Sequence, residues 1–541
     1  MRIPSPPPFR PRPGRLTPLR LCAASLAGSA VFATLGLADW SGAVPDGTAR
    51  RAAPSRVPVG RPVAIPGDAH LTWRPCAERP ALRCGTLRVP VDHRRPHGAT
   101  LRLALAKLPA TGTPERRLGP LVVGPERVGA SAVGALLAHP ERYRRLATRY
   151  DVVALDPRGT GRSTAVACLD DRALDAFWAT DLTPDTAAER RRAEAAVAAY
   201  AAACRERSGA LLRHLTPADD VADLELLRRA LGTSRLNYLG TAHSTRPAQD
   251  YAHAHPHRVG RFVLDSLEDP RHPLPPAVPP PRAVADGLER IFAQCVERDP
   301  LRCPLGRSTR QAARTWHRLL EGLDRRPVPA PDGRLLTESL ARLAAAQAVR
   351  GPEATQAAFV DGVVEARAGA GGTLLALADA AVGRGADGHY APEVTVRAAV
   401  GCLRSPRAPS SVEPRPRSLR AGSPTALLTR YLDARCPGRP ATTAAPPSPW
   451  QGVPARDASG DAASAPVLVL HNVADPVTEL AVARRAAARL PDARVVVHHG
   501  SGHRVRAVAG PCLRALVDRF LLDGRLPEGT GTGCRGAAVA S

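Results

Sequence analysis

The sequence predicts a doubly wound, mostly parallel α/β sheet with a helical segment inserted into it. Three observations carry this. Short apolar runs alternate with helical stretches from Leu71 onward, the alternation stops between about 275 and 445, and it resumes at Pro466. The runs are Leu101–Leu108, Pro120–Val123, Tyr150–Leu155, Leu236–Gly240, Arg261–Leu264, Pro466–Leu470 and Arg494–Val497, each the length of a buried strand. Helical stretches such as Asp219–Leu231 and Glu479–Leu490 lie between several of them. The interruption opens on the proline-rich stretch Pro273–Pro281 and continues as Ala-, Leu- and Arg-rich helix. It closes on the linker-like stretch Pro437–Pro449, so it reads as a helical cap set into the sheet.

The elements before the sheet point to export. Arg2, Arg10, Arg12, Arg15 and Arg20 precede the uncharged apolar stretch Leu21–Ala38, and Gly36-Leu37-Ala38 supplies small residues for cleavage. Residues 1–38 are therefore expected to be a signal peptide, an uncleaved membrane anchor being the less favoured alternative. Residues 39–70 read as a Pro/Arg-rich linker. No stable membrane association is expected after cleavage. Removing Cys22 leaves an even number of cysteines, which suits an oxidising compartment. Coupling sequence neighbours gives Cys76–Cys84, Cys168–Cys204, Cys295–Cys303, Cys402–Cys436 and Cys512–Cys534, although spacing alone does not fix connectivity.

The net charge of +25 invites a nucleic-acid partner. The positive charge is almost wholly arginine, with Lys107 the single lysine. It is scattered among Ala, Pro, Gly and acidic residues, so no nucleic-acid binding is expected. Metal ligation is not expected either. No CxxC occurs, and His253, His255 and His257 cannot share a helix face at two-residue spacing, with Pro256 ending the helix. No cofactor is implied. His498 and His499 are expected at the close of a strand, in loop or surface positions.

The chemistry lies at the ends of the strands. A G-x-S-x-G elbow places a serine nucleophile on a strained turn between strand and helix, with the acid and the histidine following in chain order. Here Leu236-Asn237-Tyr238-Leu239 leads into Gly240-Thr241-Ala242-His243-Ser244 and then a helix. The elbow is present, but Ala242 occupies the nucleophile position. Asp475 follows the strand at 466–470, where the acid belongs. His503, after Gly500-Ser501-Gly502, stands where the base belongs.

Further motifs join these. Trp73-Arg74-Pro75-Cys76, the run Cys84–Asp92, Tyr150–Ser163 with its Asp156-Pro157-Arg158-Gly159 element, Val263-Leu264-Asp265, and Asp523–Pro527 between Cys512 and Cys534 all fit one family. The chain resembles the secreted tripeptidyl aminopeptidase and proline iminopeptidase branch of the α/β-hydrolases over roughly residues 71–534. The resemblance implies an α/β-hydrolase core over 71–274 and 450–541, a helical cap and linker over 275–449, and hydrolysis at peptide N-termini.

The departures from that family bear on activity. Serine, an aromatic and glycine are expected where Ala242, His243 and Ser244 stand. The glycine-rich oxyanion loop is replaced by Gly124-Pro125-Glu126-Arg127-Val128 and the residues up to Ala132. A carboxylate at Glu126 would oppose developing negative charge unless Arg127 pairs with it. The expectation is a hydrolase framework impaired in serine chemistry that retains a peptide ligand in the cleft under the cap. The alternatives are an active exopeptidase or esterase using a relocated nucleophile (Ser244 or Thr241) or a water activated by His503, and a scaffold with a vestigial cleft. Oligomeric state is left open.

Overall fold

In the computed structural model the described residues are 71–270, 281–396, 465–527, 534 and 537–539, except 182–183, 299–300, 302, 352, 394, 476, 491 and 502. The expected signal peptide, both linkers, most of Pro273–Pro281 and the Cys402–Cys436 pair lie outside them. The other four expected disulfides, 76–84, 168–204, 295–303 and 512–534, are formed. They suit an extracellular or secreted protein. No helix among the described residues is long and apolar enough to cross a membrane.

The strands are β1 (Arg74–Pro75), β2 (Arg83–Pro90), β3 (Thr100–Leu108), β4 (Gly119–Val123), β5 (Tyr150–Leu155), β6 (Leu236–Thr241), β7 (Val259–Asp265), a two-strand hairpin β8 (Val328–Pro329) and β9 (Leu335–Leu336), then β10 (Val467–Ala474), β11 (Ala493–Ser501) and β12 (Ala537–Val539). Ten of them form one sheet in the order β1-β2-β3-β5-β4-β6-β7-β10-β11-β12. The central run from β5 to β11 is parallel, and antiparallel strands close both edges.

Period-two alternation explains the central strands. Val122, Val153, Val467 and Val469 face one core, whereas Leu121, Val123, Val152, Leu468 and Leu470 face the other. Helices α1 (Ala132–Ala138) and α12 (Pro511–Asp523) cover the second face through Leu136, Val517 and Phe520. On the first face lie α4 (Pro217–Ala230), α5 (Thr245–Ala254) and α11 (Leu480–Ala487), contributing Leu224, Tyr251 and Ala483. The inserted segment holds α6 (Pro281–Arg298), α7 (Thr309–Arg325), α8 (Glu338–Arg350), α9 (Glu353–Arg367) and α10 (Gly372–Val382).

Helical cover is not confined to that insert. Between β5 and β6 run α2 (Asp171–Ala179) and α3 (Ala187–Leu212), and both reach the segment after α10. Tyr390 donates its backbone N–H to Asp171 Oδ1 at 3.0 Å, and the Tyr200 hydroxyl meets Thr395 Oγ1 at 3.0 Å. Helix α3 buries Ala193, Val197, Tyr200, Cys204, Ser208 and Leu211 at three- and four-residue spacing, behind a capping box of Thr186 and Glu189.

His498 and His499 lie inside β11 rather than at its close. The strand runs on to Ser501, and His498 Nδ1 meets Asn472 Oδ1 of β10 at 2.7 Å.

Arg158 ties the turn after β5 to α4. Its fully buried guanidinium donates Nε and Nη2 to Asp223 at 2.7 Å each, and Nη1 to the carbonyls of Val91 (3.0 Å) and His214 (2.9 Å). Removing one member of such a pair strands the other charge. Arg158→Ala is therefore expected to lower unfolding free energy by about 3–5 kcal/mol. Denaturant titration reads this; a loss below about 1 kcal/mol would show that the network is dispensable.

Candidate active site

Four adjacent parallel strands deliver the site. Ala242 follows β6, Glu268 follows β7, Asp475 follows β10 and His503 follows β11, all at the carboxyl edge of the sheet. Gly240 and Thr241 of β6 sit opposite Leu264 and Asp265 of β7, so the elbow begins where the sheet ends.

Ala242 adopts φ 49°, the left-handed region that a side chain enters at a cost of about 1–2 kcal/mol. Its neighbours hold it there. Thr245 Oγ1 donates to the Ala242 carbonyl at 2.6 Å. Ser244 Oγ accepts the Thr241 N–H at 2.8 Å and donates to the Thr241 carbonyl at 3.1 Å. The 3₁₀ turn Ala242–Ser244 then enters α5. Ser244 is buried and its hydroxyl is committed to this turn, against the Tyr238 phenol, whose own ionisation burial pushes up.

Asp475 and His503 meet directly. His503 Nδ1 lies 3.0 Å from both carboxylate oxygens. A carboxylate only accepts, so Nδ1 carries the proton and Nε2 is free to accept. Asp475 Oδ1 also takes the N–H groups of Val477 (2.8 Å) and Thr478 (3.0 Å). The turn that carries His503 is anchored by Asp265 of β7, which accepts the Val505 and Arg506 N–H groups at 2.8 and 2.9 Å. Burial pushes the Asp265 carboxyl up, and these donors oppose that shift.

The loop after β4 departs from an open oxyanion site. The N–H after the nucleophile position is the usual donor. Here the His243 N–H points to the Glu126 carbonyl at 3.4 Å. The Glu126 carboxylate pairs with Arg504, beside His503, rather than with Arg127. Arg127 reaches the other way, donating Nε and Nη2 to Glu393 at 2.7 and 3.1 Å, a pairing that raises its pKa. Gly124 is required for close packing: a Cβ there would collide with the Tyr238 hydroxyl and the Ser244 side chain. Gly129, at φ 81°, packs against the Glu393 backbone. Val128 is buried, and Pro125 beside it lines a space of only about 40 Å³ next to His243 and Ser244. A larger cavity of about 300 Å³ lies on the Glu126, Arg127 and Glu393 side.

No sequence pattern marked Glu268, Arg504, Glu393 or His471 as neighbours of the site. Asp265 carried a signal as part of Val263-Leu264-Asp265 but no role. Among the described residues no group of three or more His, Cys, Asp or Glu is placed to hold a metal ion.

The chain matches the alpha/beta hydrolase fold family over residues 135–361 and the TAP-like protein family over residues 429–534. It is 31% identical over 378 residues to the serine protease Hip1 of Mycobacterium tuberculosis, spanning 66% of this chain and 69% of the relative. The chain belongs to the TAP-like α/β-hydrolases. Tripeptidyl aminopeptidase of Streptomyces coelicolor is 33% identical over 210 residues, 37% of this chain and 39% of that enzyme. Carboxylesterase B of M. tuberculosis is 29% identical over 490 residues, covering 86% and 90%. TAP-like relatives thus include peptidases and an esterase.

Two outcomes follow for this TAP-like site. Glycine relieves left-handed strain but adds unfolded-chain entropy, so Ala242→Gly should change stability by less than about 1 kcal/mol in either direction. A larger loss on thermal denaturation would mean that the Ala242 methyl contributes packing. His471 of β10 is fully buried, with Nε2 2.9 Å from the Thr478 carbonyl, and burial lowers its pKa below the ordinary 6.5. The unfolded chain therefore takes the proton first. Stability is full above about pH 6.5 and falls as pH drops toward the folded-state value. His471→Gln should flatten that part of the stability–pH curve; an unchanged slope would exclude His471 as its source.

Proposed function

We propose that this chain is an exported TAP-like protein that binds peptides under its cap and has lost serine-hydrolase turnover. One observation carries the reading: the elbow holds alanine, and the adjacent N–H is bonded to the Glu126 carbonyl. The nucleophile and one oxyanion donor are thus both removed. In a serine protease, loss of the nucleophile alone costs about 10⁶-fold in turnover, and one oxyanion donor costs about 10²–10³-fold. The Asp475–His503 pair supports descent from a working triad. The commitment of Ser244 within its turn argues against a relocated nucleophile there. Peptide binding rests on the protease and aminopeptidase relatives.

The purified chain should resist a fluorophosphonate probe and release nothing from chromogenic aminopeptidase or ester substrates, while short peptides give a binding isotherm by calorimetry. Ala242→Ser alone should restore little turnover. Combining it with Glu126→Gly and Arg127→Gly should add about 10²-fold or more. Strong labelling of the unmodified chain would refute the impairment, and full recovery from Ala242→Ser alone would show that the loop is no obstacle.

A further inference from the structure

The cavity of about 300 Å³ on the Glu126, Arg127 and Glu393 side has room for a group of several heavy atoms. Its walls are the loop after β4, Ala135 of α1, the 3₁₀ turn Pro140–Tyr143 that follows α1, Gly161, and residues 391–393 after α10. Its described lining includes neither Ala242 nor His503, so it stands apart from the triad positions.

The acceptors around this cavity are used, and two of its donors are not. Glu126 is paired with Arg504, and Glu393 with Arg127. Ser131 Oγ donates to Asp156 Oδ2 at 2.7 Å and accepts the Gly134 N–H at 2.8 Å. Asp156 also takes the Val133 and Arg162 N–H groups, at 2.9 and 2.8 Å. Tyr143, by contrast, packs its ring on the core under α1 and α12, and its hydroxyl meets no hydrogen-bond partner among the described residues. Burial pushes its ionisation up, so the hydroxyl keeps its proton and remains a donor.

Arg142 is the second donor. It is exposed beside the cavity, and its guanidinium has no ion-pair partner among the described residues. Its neighbour Glu141 turns instead to His139, at 3.2 Å. The charges that act on the Tyr143 phenol are those of Arg506, Glu126 and Arg142. Arg506 also faces the buried Asp265 and Asp518, the latter shared with Arg145. Arg142 is thus the cation near the phenol that lacks a carboxylate of its own. A group with two acceptor atoms and one negative charge complements this pair of donors. A doubly charged phosphate suits it less, because Glu126 and Glu393 line the same space.

We propose that this cavity is a second binding site, separate from the triad cleft, for a small carboxylate that accepts from the Tyr143 hydroxyl and the Arg142 guanidinium. A free short-chain acid or the C-terminal carboxylate of a peptide supplies that chemistry. The site does not depend on peptide binding in the cleft.

Calorimetry on the purified chain at constant ionic strength tests it with acetate, N-acetyl-tri-alanine, N-acetyl-tri-alaninamide and inorganic phosphate. Acetate or N-acetyl-tri-alanine should bind saturably; whichever binds more tightly identifies the free acid or the peptide terminus as the source. Tyr143→Phe, which keeps the packed ring, should weaken that binding about tenfold, and the exposed Arg142→Gln about threefold or more. Neither change should alter the affinity for N-acetyl-tri-alaninamide, whose binding or failure to bind reports on the cleft alone. Absence of carboxylate binding overturns the site. So does carboxylate affinity unchanged by both substitutions, or phosphate binding tighter than either carboxylate.

Discussion

Buried carboxylates that accept loop N–H groups hold this site together. A parallel sheet delivers its strands to one edge, and the turns beyond that edge carry backbone donors that the ladder no longer satisfies. Asp156, after β5, accepts from Ser131 Oγ and from the Val133 and Arg162 N–H groups, fixing the loop before α1. Asp265 does the same for the turn behind His503, and Asp475 for the turn that it begins. Each carboxylate pays its desolvation through these bonds, so the turns remain ordered whether or not chemistry occurs there.

That constraint explains why the elbow survives without its hydroxyl. The φ of 49° at Ala242 is imposed by Thr241, Ser244 and Thr245 and by the β6–α5 junction, none of which involves the missing oxygen. Ala242 therefore carries left-handed strain that its surroundings impose. The loop after β4 is held by its side chains. Glu126 and Arg127 use their side chains to reach Arg504 and Glu393, joining the loop to the His503 turn on one side and to the segment after α10 on the other. The loop is thus braced on both sides, with its Glu126 carbonyl near the His243 N–H.

Sequence patterning located the central strands because both of their faces are apolar: Tyr150–Leu155 coincides with β5, and the other predicted runs differ from the observed strands mainly at their ends. It also located the elbow, Asp475 and His503, since each follows a strand in a fixed chain order. Strand β2 went unassigned because Arg83, Gly85 and Arg88 break its apolar pattern, and α3 because an alanine-rich face gives a weak amphipathic signal. Arg504 and Glu393 gave none, since a surface-type charge far along the chain reveals nothing of its partner.

By itself, the sequence determined the hydrolase sheet, its family and the absence of a hydroxyl at Ala242, because those properties reside in local residue identity and in periodic burial. Only the tertiary structure decided that Glu126 pairs with Arg504, that its carbonyl covers the His243 N–H and that Glu268 faces His503. These depend on where separate strand ends converge, and hydrogen bonding between such distant segments leaves no pattern along the chain.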